Sequence, residues 1–520
     1  MAQNPDGSGK GPVQITKGTT SVTSGPAVTQ KLVSAAIAFG NVLRGTFGPN
    51  GLDKMLYKTN GETAVTNDGA KIIAELMVKH PAAKAFVSLA ESQENACGDG
   101  VTGCIILASE LMSEAGRLLE RGIHPLVVVK GYQMALKATI EILDQRALNA
   151  EGRLEHVART ALVGRSTEGA LDHLASLVAE AVSIIPDNDY ESVRMVKDGR
   201  GTPSSSSIVK GLIIEKPLPI DRMAREITGA KIATLTCPLE IEKTTRDAEI
   251  EISTAQQLEA FIDAEEAQID SKANAVIASG AQVVFCSEGI DSRILHSFAD
   301  NGMIAFAGLG ASITEDIAQT CDSKLCDHID DISDSLGWAE SVNQIRFEGP
   351  EGPKERLVIE VGDRAGLVTI LVGGSDGVAA EETIRGLYDS LRSTCLAKED
   401  DSVALGGGSL HMAASLEVRK RSEHCAGRER LSMEAFSRAL EAIPAALATN
   451  TGRDRIDSLL ELRSLHGSGE SDAGITRTGS PGIIVDAYVP TYTFEHAISA
   501  ATESACGLLR VDQVISARGD

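Results

Sequence analysis

Aromatic side chains are scarce. Phe, Tyr and Trp make up 3% of the 520 residues, with a single tryptophan. A groove that binds single-stranded nucleic acid by stacking needs more of them. Positive charge is also short: 49 Lys and Arg face 73 Asp and Glu, a formal net charge of −24. Nucleic acid and anionic membranes both demand basic patches, so neither is expected as a partner. No uncharged apolar run is long enough to span a bilayer. The nine cysteines are scattered and odd in number. That is unlike a secreted disulfide scaffold, so reduced thiols and a cytoplasmic location are the expectation. The opening MAQNPDGSGKGP lacks the apolar core of a signal peptide, and residues 1–13 read as a disordered tail.

What is present is ordinary globular material, 42% hydrophobic and 23% charged. The length predicts two to four domains. The first 145 or so residues read mainly helical. In the helix predicted after residue 100, Val101, Cys104, Ile105, Ala108, Leu111, Met112, Ala115, Leu118 and Leu119 mark a buried face. Glu110, Ser113, Glu114, Arg117 and Glu120 are expected to face the other way. From about residue 212 the pattern changes. Short apolar runs, KIATLTC (231–237), AQVVFCS (281–287) and MIAFAGL (303–309), alternate with helical stretches such as 255–277, and strand-like runs return across 354–374. After Glu381 long helices resume. The helical ends resemble each other and the middle differs, which predicts one helical domain built from both ends with an α/β middle inserted.

Four glycine-rich loops stand out: GPNG (48–51), NDG (67–69), GDG (98–100) and GGG (406–408), all in the chain ends. Glycine lets a backbone approach phosphate closely, and a helix start offers unpaired N–H groups with partial positive charge. Asp99, between two glycines at such a start, would repel phosphate unless a divalent cation lay between them. Magnesium takes one or two carboxylates plus phosphate oxygens. An N-cap accepting from the N–H near Thr102 accounts for Asp99 equally simply, and a tight turn accounts for Asp68. A GxxxxGK[ST] loop is absent. The motifs alone reach a possible magnesium-nucleotide site and stop there.

The runs GPNGLDKML (48–56), TNDGAKII (66–73), VKHPAAKAFVSLAESQENACGDGVT (78–102) and GIHPLVVVKGY (122–132) closely resemble group II chaperonins, the family of the archaeal thermosome and the eukaryotic cytosolic t-complex chaperonin. The resemblance continues in order through CPLEIEKTTRDAEI (237–250), RGLYDSL (385–391), GGGS (406–409), SMEAFSRALEAIP (432–444) and LLRVDQVISA (508–517). It implies an α+β multidomain subunit. A mainly helical equatorial ATP-binding domain would span 14–147 and 404–518. A small mixed intermediate domain would span 148–214 and 370–403, and an α/β apical domain with a helical lid would span 215–369.

The resemblance also implies a function. The chain would be an ATP-dependent chaperone subunit of a homo- or hetero-oligomeric double ring that encloses non-native client proteins. Mg-ATP hydrolysis would drive lid closure, with no separate lid co-chaperonin. By position, Gly48, Pro49, Asn67, Gly69, Gly98, Gly100, Val101, Thr102, Gly103, Gly406, Gly407 and Gly408 match nucleotide-contacting residues. Asp99 matches the Mg2+ ligand, Asp68 an acid near the γ-phosphate, and Asp389 the water-orienting aspartate. Arg165 matches a lysine that senses the γ-phosphate.

The departures cluster around the nucleotide. After GDG the family usually has two or three hydroxyl residues, whereas here the run is Val101, Thr102, Gly103. Asn50 replaces a frequent lysine. Val489 stands where a ribose-facing carboxylate precedes a proline, with Asp486 the nearest acid. The alternative these changes raise is a ring subunit with weakened or no ATPase, acting architecturally in a mixed ring. Outside the site, Leu258, Phe261 and Ile262 read as client or lid contacts or as ordinary packing. CDSKLCDH (321–328) fits no common zinc spacing, and MIAFAGLGASI lacks the third glycine of a dinucleotide turn.

Overall fold

The computed structural model describes residues 20–57, 63–76, 81–165, 168–241, 254–349, 352–374 and 378–517. The expected tail, residues 14–19, part of the lid stretch (242–253) and the terminal RGD lie outside them. The chain forms two compact units. One takes both chain ends, up to Asn149 and from Ser402; the other is Ala150–Asp401.

The unit of the chain ends is mainly helical. Its centre is the helix Val101–Glu120, flanked by the helices Pro26–Arg44, Glu429–Leu440 and Thr491–Leu509. Enclosure on several sides overrides the two-faced pattern expected for it. Ile106, Leu107 and Ser109 are buried as well, and so are Glu110 and Glu114, which the sequence places outward. The two carboxylates are tolerated because each is paired: Glu110 with Arg44 at 2.9 Å, Glu114 with Arg438 at 2.6 Å and with Arg117. Buried charge survives only with such partners. Two small sheets complete this unit's rim. One is a hairpin of Lys54–Tyr57 with Thr63–Thr66. The other pairs the distant strands Thr20–Ser24 and Gln513–Ala517.

The second unit carries a seven-stranded sheet. Its parallel part runs Ile304–Phe306, Val283–Cys286, Glu226–Leu235, and it continues antiparallel through Gly337–Gly349, Gly352–Glu360 and Gly211–Ile214. The parallel strands VVFC and IAF are buried throughout, as strands covered on both faces must be. A smaller three-stranded sheet joins Val193–Lys197, Val368–Val372 and Ser207–Val209. The helix Ala255–Ala278 starts on a Thr254 cap. Its first ten residues are all exposed, and burial begins only at Ile269. Leu258, Phe261 and Ile262 therefore show their apolar side chains to solvent, which removes the ordinary-packing reading.

Candidate functional site: four loops of one unit

The helix Pro81–Cys97 ends at Gly98 (φ +67°) and the next begins after Gly100 (φ +83°). Both glycines are left-handed, a conformation side chains strain to adopt. Asp99 is the single residue between these two turns. It is not the helix cap that the simpler reading expects. Gly100 holds the N-cap position, no side chain caps this helix, and Asp99 Oδ1 accepts instead from the N–H of Gly100 at 2.6 Å. The first helical bond runs from Cys104 N–H to Gly100 O. The N–H groups of Val101, Thr102 and Gly103 thus form a side-chain-uncapped start with partial positive charge. Asp68 does cap its helix, accepting from Ala70 N–H at 2.9 Å.

Close approach locks the loops together. A methyl added at Gly69 would lie 2.4 Å from Thr102 Oγ1, so NDG and GDG touch. Phe47, beside GPNG, would be 3.4 Å from a methyl on Gly103. The helix Ala442–Asn450 lies between GPNG and GGG: Leu447 presses on Gly48 and Pro444 on Gly408. Asn450 Nδ2 bonds the carbonyls of Arg44 and Phe47. Gly407 is held by the hairpin Ala473–Ile483, with Ile475 N–H donating to its carbonyl at 2.7 Å. Gly406 N–H donates to Ala487 O, next to the exposed Asp486. Val489 pairs with Ala404 and sets an apolar side chain against Gly406. Asn50, which replaces the frequent lysine, bonds Arg477 O at 3.0 Å and so ties GPNG to the same hairpin.

Sequence reasoning missed Leu447, Pro444 and Asn450, and also Gln93, Thr493 and His496 beside GDG. They carry no motif, and tertiary contacts hundreds of residues apart bring them in. GPNG closes through Gly51 N–H to Gly48 O and Leu52 N–H to Gly45 O. A methyl at Gly51 would stand 2.2 Å from the Thr46 carbonyl oxygen. Gly51→Ala is therefore expected to cost about 1–3 kcal/mol, as overpacking against backbone does. Chemical denaturation would show it as a lower midpoint with unchanged slope.

His411 follows GGG on the helix Ser409–Glu423. It is buried edge-on to Phe494 (5.5 Å), and its Nδ1 has no partner. Burial pushes its pKa from 6.5 down to about 4. Above about pH 6.5 both folded and unfolded chains hold this ring neutral. As pH falls towards 4 only the unfolded chain takes the proton, so stability declines by up to roughly 3 kcal/mol. His411→Leu is expected to flatten that loss, measured as unfolding midpoints between pH 7 and 4.

Asp389 and Arg165 belong to the second unit and form a largely buried ion pair there. Asp389 lies on the helix Val378–Asp400, anchored to the helix Leu154–Leu162 by the bond from Ser390 Oγ to Ala158 O. Gly386, one turn earlier, makes room for Arg165: a methyl there would sit 3.0 Å from Arg165 Cδ.

A chaperonin-family model, the TCP-1/cpn60 chaperonin family, matches residues 39–519. The chain belongs to that family. Its relatives include thermosome subunit alpha of Archaeoglobus fulgidus, 36% identical over 98% of this chain and 95% of that protein. The thermosome subunit of Methanopyrus kandleri is 36% identical over 94% and 91%. Thermosome subunit 1 of Haloferax volcanii is 35% identical over 95% and 90%. The chain is thus a group II chaperonin subunit, a protein of the folding machinery. No helix among the described residues is long and apolar enough to cross a membrane. Nor does any group of three or more His, Cys, Asp and Glu lie placed to hold a metal alone, CDSKLCDH included. A cation at Asp99 would therefore draw its other ligands from water or phosphate, which suits magnesium and not zinc.

Proposed function

We propose that this chaperonin subunit is an ATPase that assembles into a cytoplasmic double ring and encloses non-native proteins, with hydrolysis coupled to lid closure. One observation carries the reading: Asp99 is held between two left-handed glycines, at a helix start that no side chain caps and that is packed onto the NDG loop. In this reading the chain-end unit is the equatorial domain. Residues 148–214 and 370–403 form the intermediate domain, and 215–369 the apical domain. The N–H groups of Val101, Thr102 and Gly103 take phosphate oxygens. Gly48, Pro49, Asn67, Gly69, Gly98 and Gly100 line the phosphates, and Gly406, Gly407, Gly408 and Asp486 the nucleoside. Asp99 holds Mg2+, whose chemistry is charge neutralisation on the phosphates. Asp68 and Asp389 orient the attacking water, and Arg165 balances charge beside it. Leu258, Phe261 and Ile262 meet clients or neighbouring lids.

Ring assembly draws support from the chain-end unit's rim. Leu52, Met55 and Tyr57 are 75%, 73% and 78% exposed on or beside a two-stranded hairpin. Two-stranded sheets with apolar edges call for further strands. Electron microscopy of the purified chain, with magnesium-dependent phosphate release from ATP, tests the proposal. Double rings with turnover are expected. Absence of rings overturns the assembly, and rings without turnover overturn the ATPase.

A further inference from the structure

The GDG loop is braced from one side by a chain of bonds outside the sequence motifs. Gln93 is fully buried in the helix that precedes the loop. Its Nε2 donates to the carbonyl of Asp99 at 2.9 Å. His496, on the helix Thr491–Leu509, has its Nδ1 2.7 Å from Gln93 Oε1. The direction of this relay is dictated by chemistry. A carbonyl only accepts, so the amide's nitrogen end must face Asp99 and its oxygen end must face the histidine. His496 Nδ1 must therefore carry a proton and donate. Thr493, one turn before His496, closes the same wall. A methyl on Gly100 would meet Thr493 Cγ2 at 3.0 Å and Gln93 Nε2 at 3.1 Å. The helix that starts directly after Val489 and Pro490 thus grips the loop that presents Asp99, and through Val489 it also touches GGG.

We propose that Gln93 and His496 are positioning residues for the metal and phosphate loop. Their relay from His496 Nδ1–H to Gln93 to the Asp99 carbonyl sets the backbone from which the Asp99 carboxylate and the Val101–Gly103 N–H groups project. The proposal rests on the nucleotide reading above. It explains how a loop lacking the usual hydroxyls at 101 and 103 can stay ordered: rigidity comes from behind the loop instead of from side chains within it. Two variants separate donor chemistry from shape. His496→Asn places an amide nitrogen near the position of Nδ1 and keeps the donor. His496→Leu keeps the bulk, removes the donor and leaves Gln93 Oε1 buried without a partner.

The experiment uses the full chain. Hydrogen exchange of peptides covering residues 93–103 is measured without nucleotide, and ADP binding is measured by calorimetry with and without Mg2+. His496→Leu is expected to speed exchange in that stretch about tenfold and to weaken Mg-ADP binding about tenfold, the loss that one unmade buried bond brings. The Mg2+ concentration for half-maximal binding should rise, and the global melting temperature should stay near wild type. His496→Asn should restore all three readouts. Unchanged exchange in His496→Leu, or an Asn variant as defective as Leu, overturns the relay. Failure of the wild-type chain to bind Mg-ADP overturns the nucleotide reading, and that result is visible without either variant.

Discussion

Asp389→Asn is expected to cut ATP turnover by about 10²–10⁴-fold, the range a positioned acid–base group contributes, with ADP affinity close to wild type. The reasoning begins with burial. Asp389 is buried and ion-paired with Arg165, so its carboxylate is held in one orientation on a rigid helix. Asparagine keeps the shape and a hydrogen-bond acceptor for the guanidinium while it removes the charge that draws a proton from water. Alanine is the poorer test. It would leave Arg165 as an unpaired, largely buried charge, and breaking such pairs costs about 3–5 kcal/mol, enough to confuse instability with lost chemistry. Phosphate release at saturating Mg-ATP measures the effect, with micrographs confirming intact particles. Turnover within tenfold of wild type would remove Asp389 from the reaction.

The second large effect concerns assembly. Met55 and Tyr57 sit two residues apart on one strand, hence on one face of the hairpin. Covering such side chains at a neighbouring subunit gains about 1.5–3 kcal/mol each, and a closed ring repeats that gain at every contact. Met55→Glu with Tyr57→Glu removes it and adds charge that must be buried. Size-exclusion chromatography with light scattering is expected to show the particle replaced by small species. Subunit stability should hardly move, because neither side chain packs inside its own chain. Rings that persist in the double variant would place the contact elsewhere.

Much of this molecule was readable before any coordinates. The apolar runs at 281–287 and 303–309 are strands because continuous β-branched and aromatic stretches of that length suit a sheet covered on both faces. The insertion of the middle into a helical host followed from the change of period near residue 212. The helix Val101–Glu120 was legible as a helix but not in its burial. Periodicity cannot report how many neighbours surround a segment, and Glu110 and Glu114 look solvent-facing until Arg44 and Arg438 arrive from distant parts of the chain. At the site, glycines and acids announced the loops. What holds them did not show, since Pro444, Leu447, Gln93 and His496 are individually unremarkable and act only through close packing across hundreds of residues.

The pairing of Thr20–Ser24 with Gln513–Ala517 bears on biosynthesis. A ribosome adds about 5–20 residues per second, so the first strand waits tens of seconds for its partner. During that interval the helix Val101–Glu120 lacks Thr491–Leu509, and the GDG loop lacks its brace. The inserted residues 150–401 contain all their own partners and emerge complete first. Nascent order is therefore inverted: the guest matures before the host, and a protein of the folding machinery spends its own synthesis with its ATP-binding half open and in need of shelter.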